Sequence, residues 1–424
     1  MNPLAAGMRR VRRLRRFRGR WRPLGGFLGP AVHDAKQSLG ALTVSVSAGV
    51  VTGLMFAAMT GTLETFPGLL LFIPAAIALR GNVFGPLGGR LSTALQTGTF
   101  SWSWRLDSLL VQNLIGAMAV SLVTSVGLAV IAQVMAGWLG GGREVIGIAD
   151  FIVISGLGGL LASTAVLGIT LGLAFWSVRF GWDLDNVTAP LVSASGDFLT
   201  IPSLLFATLF IRRGMVTLGL ALVFVVLSVM SLGVLYRSKL LLTRRIVGET
   251  LPVLLAAGTL SLVAGVILEQ SADRLLAFSV FLVVIPGYLS TAGALGGILS
   301  SRLATKVHLG LIEPRLLPTG RAREDIRVTF VVALPIFALL SVLAGTFGVL
   351  AGHTSPGLPQ LVAVASTGGL VVTVFVTIIA YYATLAVVRF GLDPDNHGIP
   401  VVAASLDVVG AFTLVGAMAL WSVA

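Results

Sequence analysis

Cysteine is absent from this 424-residue chain, which excludes disulfides, thiolate metal sites and cysteine nucleophiles. Histidine is nearly absent: His33, His308, His353 and His397 are too scattered for an imidazole metal cage. Charge is scarce as well, with charged residues at 11% against 56% hydrophobic ones. A soluble globular chain does not have this balance. What fills the sequence instead is a series of apolar runs of membrane-spanning length, at roughly 38–61, 65–94, 107–139, 149–178, 188–211, 214–236, 247–269, 274–304, 325–352, 359–388 and 398–422.

The net charge of +12 is a local property. Nine arginines lie between Arg9 and Arg22, and Val11, Leu14 and Phe17 recur every three residues among them. Two readings fit this tail: a segment lying on anionic lipid headgroups, or a disordered basic leader that fixes the N-terminus in the cytoplasm. No apolar h-region or cleavage site adjoins it, so it does not read as a secretory signal. No recognition module accompanies it, and nucleic acid is not an expected partner.

One stretch occurs twice. VRFGWDLDNVTAPLVSASGD (Val178–Asp197) and VRFGLDPDNHGIPVVAASLD (Val388–Asp407) share 12 of 20 positions at an offset of 210. A second match, at an offset of 212, aligns PAAIALRGNVFGPLGGRLST from Pro74 with PGYLSTAGALGGILSSRLAT from Pro286. The repeats divide the eleven runs into five, one and five. The expected organisation is a basic cytoplasmic tail (1–37), a first repeat (38–212), a linker helix (213–238) and a second repeat (239–424). Because the linker adds one crossing, both repeats enter the membrane from the same side. The expected fold is therefore an all-α polytopic membrane protein, two parallel five-helix repeats about a pseudo-twofold axis along the membrane normal.

Charge placement orients it. Arg90, Arg105, Arg179, Arg237, Lys239, Arg244, Arg245, Arg302, Lys306, Arg315, Arg321, Arg323 and Arg389 fall on one side of such a topology. Arg143, Arg212, Arg213 and Arg274 fall on the other, and the adjacent Arg212 and Arg213 are the discordant pair. The positive-inside rule then puts the N-terminus in the cytoplasm and the C-terminus outside a cell membrane. Arg90 and Arg302 read as helix-end anchors at headgroup level.

Each copy of the first motif carries its last aspartate, Asp197 or Asp407, into an apolar run. Nine residues of helix from Thr188 place Asp197 about 13.5 Å deep, near mid-membrane. Carboxylates in hydrocarbon need a partner or a function, and one per repeat points to a path for cations. Ser193 and Thr200 share the helical face of Asp197, where they can bond an ion's water; their counterparts are Ala403 and Gly410. Asn82, in the glycine-rich second motif, can act the same way, but its counterpart is Ala294. The halves are thus expected to differ in function. Asp183, Asp185 and Asn186, with Asp393, Asp395 and Asn396, read first as helix caps and second as loop ligands. Pro202 is expected to kink the fifth helix, whereas Pro400 starts the eleventh. Two other classes remain open: a proton- or sodium-coupled carrier of a small solute, and an intramembrane aspartyl protease.

RGNVFGPLGGRLST, DLDNVTAPLVSASGD, SRLATKVHLG and GLDPDNHGIPVVAASLD resemble the signature segments of MgtE-type transmembrane domains, in particular those of the fused, two-domain solute carrier 41 branch. The resemblance covers roughly residues 38–424. It implies transport of divalent cations, chiefly Mg2+, with the two halves replacing the subunits of a homodimer, so that a monomer suffices. It implies no enzyme activity and no organic cofactor. The acid that lines the family's ion path falls on Asp197 and Asp407. Magnesium prefers octahedral oxygen ligands and sheds water reluctantly, so a largely hydrated ion is expected between them. Two departures stand out: Leu184 faces Pro394 in the other copy, and Ala294 replaces the asparagine that follows the family's glycine. No cytoplasmic sensor domain is read before the first span, so gating by one is not expected.

Overall fold

A computed structural model describes residues 32–139, 146–180, 184–238, 240–313, 315–390 and 398–423. Among them there is no β-strand. Apolar backbone in a bilayer must satisfy its own hydrogen bonds, and helices do so within one segment. Eleven helices are long and apolar enough to cross a membrane. They are α1 (Val32–Ala57), α2 (Leu69–Gln96), α3 (Leu109–Leu139), α4, α5 (Leu184–Thr208), α6 (Met215–Arg237), α7 (Leu241–Gln270), α8 (Val280–His308), α9 (Arg321–Leu350), α10 (Leu358–Phe390) and α11 (Ile399–Leu420). The fourth, α4, is composite: Ile148–Val153, a π-helical turn Ile154–Gly158, then Gly159–Phe180.

The runs expected at 65–94 and 274–304 begin later than their hydropathy indicates. Short helices, Thr60–Thr65 and Ala272–Ala277, precede α2 and α8 at matching places. Both long helices need their first N–H groups satisfied. For α2 the Glu269 carboxylate accepts from Gly68 N at 2.9 Å and Leu71 N at 3.2 Å. At the start of α8, Ser279 N donates to Thr354 Oγ1 at 3.0 Å.

The first helix of each half packs on the other half. Helix α1 lies against α8 and α9, and α7 lies against α2 and α3. Glycine makes both crossings close. A Cβ on Gly53 would fall on the carbonyl of Val283, and one on Gly265 would fall on the carbonyl of Leu71. These four residues are two pairs at the offset of 212, so one contact is built twice. Within each half, α5 packs on α2 and α11 on α8. Helix α6 touches mainly α3 and α4 and leaves Leu218, Leu222, Val226, Val229 and Met230 exposed, as a lipid-facing linker does.

Arg90 and Arg302, both half-buried, bond to side chains of neighbouring helices. Arg90 Nε donates to Asn113 Oδ1 at 2.7 Å, and Arg302 reaches Ser38 Oγ of α1 at 2.9 Å. They tie helix ends together. On α9 the buried Asp325 accepts from Lys306 Nζ at 2.6 and 2.7 Å.

Candidate functional site

Helices α5 and α11 carry the two expected acids. Asp197 is 9% exposed and Asp407 8%. Helix α2 touches both α5 and α11, which brings the two buried carboxylates of opposite halves onto helices around one element. Like charges in low dielectric repel strongly, and either a proton on one acid or a counter-cation relieves the repulsion.

The acids are held differently. Asp407 Oδ2 accepts from Ser261 Oγ of α7 at 2.7 Å. Asp197 accepts no hydrogen bond from any described residue. The residue equivalent to Ser261 at the offset of 212 is Gly49, which has no hydroxyl to offer.

Around Asp197, the α2–α5 contact brings several expected residues together. Gly196 lies against Arg80, and Ser193 lies against Gly81, beside Asn82. The half-buried Asn82 amide and the Ser193 hydroxyl have no partner among the described residues, so both are available to water. Thr200 is wholly buried, and its hydroxyl donates to Gly196 O at 2.6 Å. Its proton therefore serves the helix. Asp185 and Asn186 fall in the first turn of α5 rather than in a loop. Asp183, Asp393, Asp395 and Asn396 lie outside the described residues, as does the arginine-rich tail. No group of three or more Asp, Glu or His side chains able to hold a metal occurs among the described residues.

Arg80 is the site feature that motif comparison misses. It is 1% exposed in the middle of α2. Its equivalent is Ala292, so it drops out of any list of repeated residues. The signal that marks it is an arginine well inside an apolar run.

The comparisons decide the family. The family described as MgtE, divalent cation transporter, matches residues 73–208 and 285–417, more than half of the chain and both repeats. The chain belongs to the MgtE family. Among curated relatives, solute carrier family 41 member 2 of Gallus gallus is 27% identical over 83% of this chain and 64% of its own length. The Xenopus laevis protein is 27% identical over 87% and 68%, and the human protein 26% identical over 82% and 63%. This MgtE-family chain thus spans less than two thirds of the chicken and human relatives. The eukaryotic MATE transporter AtDTX14 superimposes at a TM-score of 0.32 with 14% identity over 92% of this chain and 96% of that one, too remote to bear on fold or function.

Proposed function

We propose that this chain moves divalent cations, Mg2+ above all, across a cell membrane between its two halves. The ion is held through its water by Asp197 and Asp407. The observation that carries this reading is the pair: two buried carboxylates, one from each repeat, on helices that both touch α2. Without a cation such a pair is costly, because each desolvated charge loses several kcal/mol of hydration and repels its neighbour. A dication offsets both charges at once. Magnesium keeps most of its waters, and those waters donate hydrogen bonds outward to the carboxylates. Asn82 and Ser193 offer further acceptors on the first-half side only.

The path runs along a pseudo-twofold axis normal to the membrane, with repeats 38–212 and 239–424 joined by the linker at 213–238. The N-terminus lies in the cytoplasm, its basic tail against anionic lipid, and the C-terminus outside. One chain holds both acids, so a monomer is sufficient.

The test is uptake into liposomes that contain the purified chain and an internal Mg2+-sensitive dye. Asp197→Asn and Asp407→Asn should each reduce uptake at limiting Mg2+ by at least about a hundred-fold, since removing one buried charge from such a set costs about 3–5 kcal/mol, or two to four decades. Both variants should remain monodisperse. Wild-type uptake by either one would remove the acids from the path.

A further inference from the structure

The membrane core of the first half carries a cation with no acid of its own. Arg80 forms no ion pair with any described residue. A guanidinium has five N–H donors. Among the described residues its one side-chain hydrogen bond runs from a terminal nitrogen to Ser125 Oγ at 3.4 Å, longer than a good N–H···O contact. Buried Nε has no partner. The niche is tight, because a Cβ on Gly159 would lie 2.7 Å from the other terminal nitrogen. Gly159 follows directly on the π-helical turn Ile154–Gly158. Turns of this kind mark functional places and let a helix change its local hydrogen bonding. An unpaired buried charge held so poorly is expensive, and the chain keeps it.

The stem of Arg80 begins next to the acid site. A Cβ on Gly196 would lie 3.0 Å from Arg80 Cβ, so the arginine leaves α2 beside the residue that precedes Asp197. Asp197 in turn lacks any hydrogen-bond donor among the described residues. The second half needs no such device, because Ser261 already bonds Asp407. There Ala292 stands for Arg80, and the ring of Phe337 packs on Gly369, the equivalent of Gly159 at the offset of 210.

We propose that Arg80 is a tethered counter-cation. When no dication lies between the carboxylates, its guanidinium leaves the niche at Ser125 and Gly159 and pairs with Asp197. Ion and guanidinium then compete for one carboxylate. The departing ion is replaced by a charge that cannot leave, so Asp197 is never abandoned in the membrane core. This inference rests on the reading of Asp197 as an ion-binding acid.

Mg2+ uptake by the full chain in liposomes, resolved into KM and maximal rate, tests it. Arg80→Gln removes the competitor and should lower KM roughly five-fold or more, as a coupling of this kind does, while the maximal rate falls. Arg80→Lys should stay near wild type. Gly159→Ala crowds the guanidinium out of its niche and should raise KM, and in the Arg80→Gln background it should leave KM unmoved. Arg80→Gln with an unchanged or higher KM overturns the proposal. Where Arg80→Gln does not yield folded protein, Gly159→Ala at wild-type KM overturns it. Asp197→Asn keeps the two ideas apart. If that variant transports like wild type, the ion-binding reading itself fails. If it is inactive while Arg80→Gln leaves KM unchanged, only the competition fails.

Discussion

Asp197 and Asp407 sit on equivalent helices and have unequal surroundings. One is bonded by Ser261, whereas the other stands near a free amide, a free hydroxyl and the stem of Arg80. A hydrated ion between them meets more acceptors on the first-half side. Asn82→Ala should therefore weaken apparent Mg2+ affinity by about 0.5–1.5 kcal/mol, one water-mediated contact. Ala294→Asn should leave affinity unchanged or improve it. A concentration series of uptake for both variants decides this, and an Asn82→Ala curve that overlies wild type would make the amide a packing residue. The acids were readable in the sequence because they repeat. Ser261 and Arg80 were not, because they fall where Gly49 and Ala292 break the repeat. Repetition reports what two halves share, and the compensation of each acid is what they do not share.

Hydropathy gave the number of helices correctly, since each span must be apolar along its own length whatever its neighbours. It says nothing about which helices touch. The exchange of α1 and α7 between halves rests on small residues that open a groove for a carbonyl, a signal too local for composition to show. The short helices ahead of α2 and α8 were hidden for a related reason: they are apolar enough to merge with the spans they precede. Gly265→Val and Gly53→Val should each lower stability by about 1–3 kcal/mol, the usual cost of overpacking, because neither the new side chain nor the backbone it meets can give way. Gly219→Ala and Gly233→Ala on α6, where a Cβ meets nothing, should not. Melting temperatures in detergent separate the two pairs, and equal values would mean that the crossings are looser than described.

At the scale of the whole molecule, the exchanged helices make each half depend on the other. A first repeat expressed alone has α1 without α8 and α9 to cover it. It should be degraded or aggregate, and co-expression with residues 213–424 should restore a complex that purifies as one species. A stable, monodisperse first repeat would contradict this. The orientation proposed above is checked separately. The chain has no native cysteine, so a cysteine placed at Asn2 and another at Ala424 report sidedness directly. Labelling from opposite faces is expected, and labelling of both from the same face would refute eleven crossings.

The unmatched Arg80 has one more implication. A conduit assembled from two identical chains carries every charge in duplicate, because a twofold operator maps each side chain onto a copy. Two acids would then come with two bases, and the core would balance itself with nothing left over for a visiting dication. With both repeats in one polypeptide the tally around the paired acids can be odd: Asp197 and Asp407, with Arg80 the one buried arginine among the described residues. Joining the halves makes parity a property that selection can adjust.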